Sequence, residues 1–447
     1  MRQGCILSPL LFNLFLSDLA KKYESTANQF QLGEVNFNAL FWADDLVLFA
    51  KSKEDLDSLL KILETYCKDN EIIINTKKTK CMIFNKTGRL MRRPFYLNGV
   101  QLENVRSYKY LGFVITPSGE ILTGLQDLRD RAFKAYMKIK NEMGTSFNQH
   151  IVTTLTLIDA LVRPILLYAG DFWGCLKLPR NNPIENLHML MCKQLLGVQK
   201  QTSNIGVLLE LGRIPMCLYT LKSSIKNWER IKRGQGNEIL LESCKDSVDN
   251  QSWIPNIRWH LEENEMIDFY ETFSENPYPF VHKIIFNKLR AKFHIKAFDE
   301  IKDNSSKLRT YALFKTKVGL EPYLTEINNV QDRIFVTKFR LSNHRLMIEV
   351  GRYNNTPREH RFCPFCPNTV EDECHFMFRC KPYTYLRTRY LGPLMNSNPG
   401  FQYQPHDRRL QILLANVNYN TAKYIYCWQH GPSKFFSIQA KGYPLSL

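Results

Sequence analysis

Nearly every position from Leu10 to Leu16 is apolar, and the stretch is preceded by Ser8 and Pro9. Serine is a good N-cap and proline suits the first helical position, so the pattern predicts a buried helix over residues 8–19. Pro9 and Asn13 interrupt the run and no small-x-small cleavage site follows, which argues against a signal peptide. Two short apolar runs then flank Ala43-Asp44-Asp45, predicting a hairpin that turns at an acidic pair. Ser52 and Asp55 form a capping box ahead of Leu56, Leu59, Leu60, Leu63 and Cys67, the apolar face of a second helix. Ile72-Ile73-Ile74 reads as a strand and Cys81-Met82-Ile83-Phe84 as another. This order implies an α+β arrangement, an antiparallel sheet with helices on one face.

Beyond residue 120 the spacing turns helical. Leu125, Leu128, Ala132, Ala135 and Ile139 mark one face of a helix whose other face carries Arg129, Arg131, Lys134 and Lys138. Asn182-Pro183 starts a further helix and Gly197 ends it. Residues 234–329 read as helices without evident chemistry. Gly431-Pro432 and the loss of periodicity place the tail from Trp428 to Leu447 outside the fold. No repeat is visible.

Composition narrows the function. The 447 residues carry a net charge of +17, which favours a polyanionic partner, nucleic acid before anionic membrane. The most apolar long stretch, Leu155 to Leu176, contains Asp159, Arg163, Pro164 and Asp171, so no membrane span is expected. The 12 cysteines scatter except for one cluster, the pattern of a reducing compartment, nuclear or cytoplasmic, with a metal site. Phosphate-loop, G-x-S-x-G and H-E-x-x-H patterns are absent.

Three features carry chemistry. Asp44 and Asp45 repel each other at a hairpin tip, and a divalent cation would compensate them; a solvated Asp-Asp turn is the plainer alternative. From Lys77 to Arg93 there are seven basic residues (Lys77, Lys78, Lys80, Lys86, Arg89, Arg92, Arg93) and no acid. Phe84, Phe95 and Tyr96 lie in or beside that run, and charge with aromatics suits a nucleic-acid groove. Cys363-x2-Cys366-x8-His375-x4-Cys380 has zinc-ligand character, with Cys374 as an alternative for one ligand. Upstream, Arg340, His344, Arg345 and Arg352 would add phosphate contacts.

Taken together, Arg2-Gln3-Gly4-Cys5-Ile6-Leu7-Ser8-Pro9, Ala43-Asp44-Asp45, Asn75-Thr76-Lys77-Lys78 and Tyr110-Leu111-Gly112 resemble the reverse transcriptases, closest to the non-LTR (LINE-type) retrotransposon group. The resemblance extends past a thumb-like Arg163-Pro164-Ile165-Leu166-Leu167-Tyr168 to the Cys/His segment. It implies half a palm over 1–95, a primer grip and thumb over 96–233, a helical connector over 234–329 and a basic Cys/His region over 330–447. By that resemblance Asp44 and Asp45 hold catalytic Mg²⁺, and Lys78 protonates the leaving pyrophosphate. Gln3, Gly4, Ser8 and Pro9 lie near template and dNTP, and Tyr110, Leu111 and Gly112 form the primer grip. Trp42 is bulkier than the aromatic the family usually places before alanine. The chain begins inside the block that follows the first catalytic strand, so polymerase activity is expected to be lost or to depend on further sequence. The alternative is a non-catalytic RNA- or DNA-binding protein using its basic grooves and a Zn²⁺ module.

Overall fold

The first helix, α1 (Ser8–Glu24), runs a turn beyond the expected end. Ser8 does not cap it: Leu7 holds the N-cap position without a side-chain bond, because Ser8 is itself helical and Pro9 follows at the second position. Its C-terminal half is the buried half. Leu19 and Tyr23 enter the core, and the Tyr66 hydroxyl donates to the Phe15 carbonyl at 2.7 Å. The expected buried helix is open over its first turns, where Leu10 and Leu14 remain 67% and 69% exposed. The computed structural model describes residues 6–179, 181–245, 253–273, 280–303 and 307–429.

Helix α2 (Lys53–Asp69) starts as its sequence predicts. The Ser52 hydroxyl oxygen accepts from the Asp55 N–H at 3.0 Å and donates to the Asp55 carboxylate at 2.7 Å, so the box closes side chain to side chain. Leu59, Leu60, Leu63, Tyr66 and Cys67 face inward and meet Leu19, Tyr23, Phe95, Leu97 and Leu102.

Small paired strands take the place of the expected continuous sheet. Strands β1 (Phe30–Leu32) and β2 (Val35–Phe37) pair antiparallel, as do β3 (Ala39–Trp42) and β4 (Asp45–Leu48). Strand β5 (Lys80–Cys81) crosses the intervening pair β6 (Tyr96–Leu97) and β7 (Val100–Gln101) to lie parallel to β8 (Glu103–Asn104). Strands β9 (Tyr108–Tyr110) and β10 (Phe113–Ile115) form another hairpin. Each of these strands is only two to four residues long, so its ladder ends before a third strand can join, and helix packing supplies the cohesion. Ile72-Ile73-Ile74 is extended without a ladder: Ile72 and Ile74 lean on the core while Ile73 is 95% exposed. Of the run Cys81 to Phe84 only Cys81 is in a strand.

The chain divides into two compact units, each discontinuous in sequence. The first comprises Met1–Leu128, Tyr168–Pro179 and Thr220–Ile284; the second comprises Arg129–Leu167, Arg180–Tyr219 and Ile285–Leu447. The Leu122–Met143 helix buries Leu125, Leu128, Ala132 and Ile139, with Tyr136 rather than Ala135 completing the face. Within the second unit the Tyr136 hydroxyl donates to Gln194 Oε1 at 2.6 Å. The Pro183–Leu196 helix begins and ends where expected: Asn182 Oδ1 accepts from the Ile184 and Glu185 N–H groups, and Gly197 leaves at φ 65°. A π-helical turn, Ile158–Val162, stands directly before Pro164, whose ring cannot continue an α-helical ladder. Trp428 packs on Phe376 with ring centroids 4.8 Å apart, so the fold extends past the expected end at that residue; 430–447 lie outside the described residues. Among the described residues no helix is long and apolar enough to cross a membrane.

Candidate functional site

The β3–β4 register pairs Trp42 with Asp45, which leaves Ala43 and Asp44 as a two-residue turn. Ala43 takes φ 51°, as hairpin turns that follow the strand twist require at their first position. Below the tip, Phe41, Leu46 and Leu48 pack on the core of the first unit. At the tip Trp42 is 65% exposed, and Asp44 and Asp45 are exposed too. Packing thus holds the base of the hairpin and delivers two carboxylates to solvent. Neither makes an ion pair among the described residues.

The second hairpin, β9–β10, carries Tyr110. Burial, and next the charge of Asp45, push the Tyr110 phenol above its usual value, so Tyr110 is within electrostatic reach of the acidic tip. Its turn is Leu111-Gly112, with φ 45° and 81°. A leucine in the left-handed region is strained and must be held. Tyr168 holds it: its hydroxyl donates to the Leu111 carbonyl, and a Cβ on Gly112 would stand 3.1 Å from that hydroxyl. Trp173 Nε1 in turn donates to the Tyr168 carbonyl at 2.9 Å. Nothing in the spacing of the Arg163–Tyr168 block announces this clamp.

Gln3 and Gly4 lie outside the described residues, and Ser8 and Pro9 form the first turn of α1. Lys77 and Lys78 occupy an exposed turn that the Asn75 carbonyl closes through the Lys78 N–H at 3.0 Å. Lys80 is paired with Glu103 at 2.6 Å. Lys86, Arg89, Arg92 and Arg93 are exposed and make no ion pair among the described residues. Asn85 shapes their loop, accepting from Thr87 Oγ1 and the Arg89 N–H and donating to the Arg89 carbonyl. Phe84 and Tyr96 are 63% and 54% exposed beside that charge. Phe95 is no groove residue: it is 3% exposed and belongs to the core.

The structure brings Cys363, Cys366, His375 and Cys380 together, with one ligand atom from each within 4.8 Å of the others. Cys363 and Cys366 face each other across a tight hairpin of β11 (Phe362–Cys363) and β12 (Cys366–Val370). His375 sits in the first turn of the Glu373–Phe378 helix, where Asp372 accepts from its N–H at 2.7 Å. The Cys380 N–H closes the helix onto the His375 carbonyl at 2.9 Å. The sulfurs of Cys363 and Cys366 are 3.7 and 4.0 Å from that of Cys380. A tetrahedron with Zn–S bonds of about 2.3 Å has edges of roughly 3.8 Å. Both His375 ring nitrogens are buried without a protein hydrogen bond, an arrangement a metal would satisfy. Burial raises the Cys363 and Cys380 thiols, whereas the Lys381 N–H lowers Cys366. Cys374 is not a ligand here, its sulfur lying 3.3 Å from Asp407.

Two expected phosphate contacts are buried instead. Arg340 is 1% exposed and binds Glu210 at 2.7 Å, with Glu321 and the Leu414 carbonyl. His344 bonds Glu373 at 3.1 Å. The buried Arg340 charge must be paired and His344 Nε2 is taken up by Glu373, so neither group reaches a ligand. Arg345 is exposed and Arg352 half-buried.

Residues 1–115 match the family of reverse transcriptases, RNA-dependent DNA polymerases. That span contains both hairpins and the basic run. The chain resembles the non-LTR retrotransposon reverse transcriptases. It is 26% identical over 235 residues to the Pol polyprotein of the type-1 retrotransposable element R2 of Nasonia vitripennis, covering 47% of this chain and 22% of that protein. It is 24% identical over 204 residues to the RNA-directed DNA polymerase of the mobile element jockey of Drosophila funebris, covering 44% of this chain and 21% of the relative. A type-2 R2 Pol polyprotein of Drosophila melanogaster is 29% identical over 131 residues, 27% of this chain and 12% of its own. The matched stretches are thus small parts of these non-LTR reverse transcriptases.

Proposed function

We propose that this chain is a nucleic-acid-binding part of a non-LTR retrotransposon reverse transcriptase that, by itself, does not extend a primer. The observation that carries the reading is the Asp44–Asp45 turn, presented to solvent by a hairpin whose base packs on the core, within the span that matches the reverse transcriptases and also holds the clamped Tyr110-Leu111-Gly112 turn. A carboxylate pair and a rigid Tyr-Leu-Gly turn would suit a primer terminus, and the basic loop 77–93 would supply phosphate contacts. In full nucleotidyl transfer two Mg²⁺ ions would stabilise the attacking and leaving oxygens. Among the described residues no third carboxylate, histidine or cysteine gathers with Asp44 and Asp45, which leaves that donor set short. Lys78 is the proposed proton donor of an active arrangement.

For zinc the donors do fit. Cys363, Cys366, His375 and Cys380 would hold one ion, which fastens the hairpin to the helix that follows it. The exposed Arg345 and the half-buried Arg352 are left to meet phosphate.

Primer extension on an RNA template with Mg²⁺ and dNTPs, run on this chain and on Asp44→Ala, tests the reading. Neither is expected to extend, and both are expected to shift labelled RNA and DNA in a gel. Extension by the parent that vanishes in Asp44→Ala would overturn the catalytic half of the proposal.

A further inference from the structure

The second unit has an open cleft of about 430 Å³, lined by none of the Cys/His residues. One side is apolar and aromatic, formed by Ile214, Tyr219 and the partly exposed Val318. The Leu211–Leu320 bridge brings the Val318 segment there. Tyr219 is held in place: the Phe286 ring lies 5.7 Å from it and the Arg163 guanidinium 5.2 Å. The other side is one stripe of the Val281–Lys302 helix, Asn287, Arg290 and His294, three and four residues apart.

That stripe is chemically unspent. Arg290 and Asn287 are exposed and make no ion pair or side-chain hydrogen bond among the described residues. His294 Nε2 is shut away from solvent without a hydrogen-bond partner, so the nitrogen that can turn an N–H to the cleft is Nδ1. Burial, and then the Arg290 charge, hold His294 below the usual histidine value, so its ring is neutral near pH 7 and can offer one N–H. From Val281 to Phe298 the helix contains no acid, and none lines the cleft. A cation would find no counter-charge here. The volume lies in the usual range of small-ligand sites, about 300–1,000 Å³, and is too roomy for a bare phosphate.

We infer that this cleft takes one nucleotide of a single-stranded polynucleotide, with the phosphate at Arg290 and His294 and the base against Ile214, Tyr219 and Val318. Asn287 would meet a polar edge of that base or its sugar. Guanidinium and imidazole N–H groups on a phosphate beside an apolar wall match the way sequence-tolerant strand sites are built. The inference rests on the nucleic-acid reading above and adds a second contact far in sequence from the basic loop.

The test uses the full chain and a 20-nucleotide RNA carrying 5-iodouridine. Photo-cross-links should map to peptides containing Tyr219 or residues 287–294. In Arg290→Ala/His294→Ala, verified as folded by circular dichroism, single-strand affinity should fall about tenfold and those cross-links should disappear. In Arg92→Ala/Arg93→Ala affinity should fall while the cleft cross-links persist. Unchanged affinity in the cleft variant, with cross-links confined to residues 77–96, would overturn the cleft alone. Failure of the parent to bind any nucleic acid would overturn the broader reading as well. A fluorescent mononucleotide bound as tightly as the 20-mer would overturn the strand and reassign the cleft to a free nucleotide.

Discussion

Glu185 lies in the first turn of the Pro183–Leu196 helix, where an acid suits the helix dipole, yet burial pushes its carboxyl from 4.5 up to about 7. Its carboxylate still accepts from the Met216 N–H at 2.9 Å. Because the folded value is the higher one, the native state keeps the proton between about pH 4.5 and 7. This contribution is complete below pH 4.5 and is lost as pH rises through 7. Glu185→Gln keeps the acceptor and removes the charge. It should raise stability at pH 8 by up to roughly 3 kcal/mol and flatten the pH dependence, as read by urea denaturation at several pH values. Arg340 makes the opposite case. Replacing it with alanine strands Glu210, which is fully buried, and should destabilise the fold by about 3–5 kcal/mol in the same assay. Sequence spacing marked Arg340 and His344 as phosphate contacts because both are basic and stand near the Cys/His cluster. The partner that makes Arg340 structural, Glu210, lies 130 residues away, and no local pattern could reveal it.

Local elements were legible where their signals are local. The box at Ser52, the two ends of the Pro183–Leu196 helix and the acidic hairpin each depend on residues a few positions apart. The Cys/His hairpin belongs with them, since Pro364-Phe365 is too short a link to separate Cys363 from Cys366. His375 and Cys380 sit on one short helix and its end, so the remaining donors arrive as a pair. Purified chain should therefore carry about one zinc ion. Cys366→Ser should release it and raise hydrogen exchange across residues 362–380, which elemental analysis and mass spectrometry would report. A folded, metal-free parent would count against that centre. The isoleucine run and Cys81 to Phe84 misled the reading because β-branched or apolar stretches look alike whether or not a partner strand exists. Ile73, almost wholly exposed, shows that apolar identity at three adjacent positions does not create a ladder.

For the whole molecule, the +17 charge and the exposed Lys86, Arg89, Arg92 and Arg93 should make the proposed nucleic-acid affinity strongly dependent on salt. The logarithm of affinity for duplex DNA should fall linearly with the logarithm of salt concentration. Arg89→Ala/Arg92→Ala/Arg93→Ala should reduce the slope by about 3 if each arginine meets one phosphate, measurable by fluorescence anisotropy. A slope equal to the parent's would place the contacts elsewhere. Charge, the caps at Ser52, Asn182 and Gly197, the acidic turn and the Cys/His spacing were decided by the sequence itself, because each rests on residue type at short separation. Only the tertiary structure decided that the strands stay in pairs, that Phe95 and Arg340 are interior, and that Tyr168 pins the Leu111 turn. The Tyr168 and Arg340 contacts join groups 57 and 130 residues apart, where packing chooses the partner and no repeat or spacing encodes it.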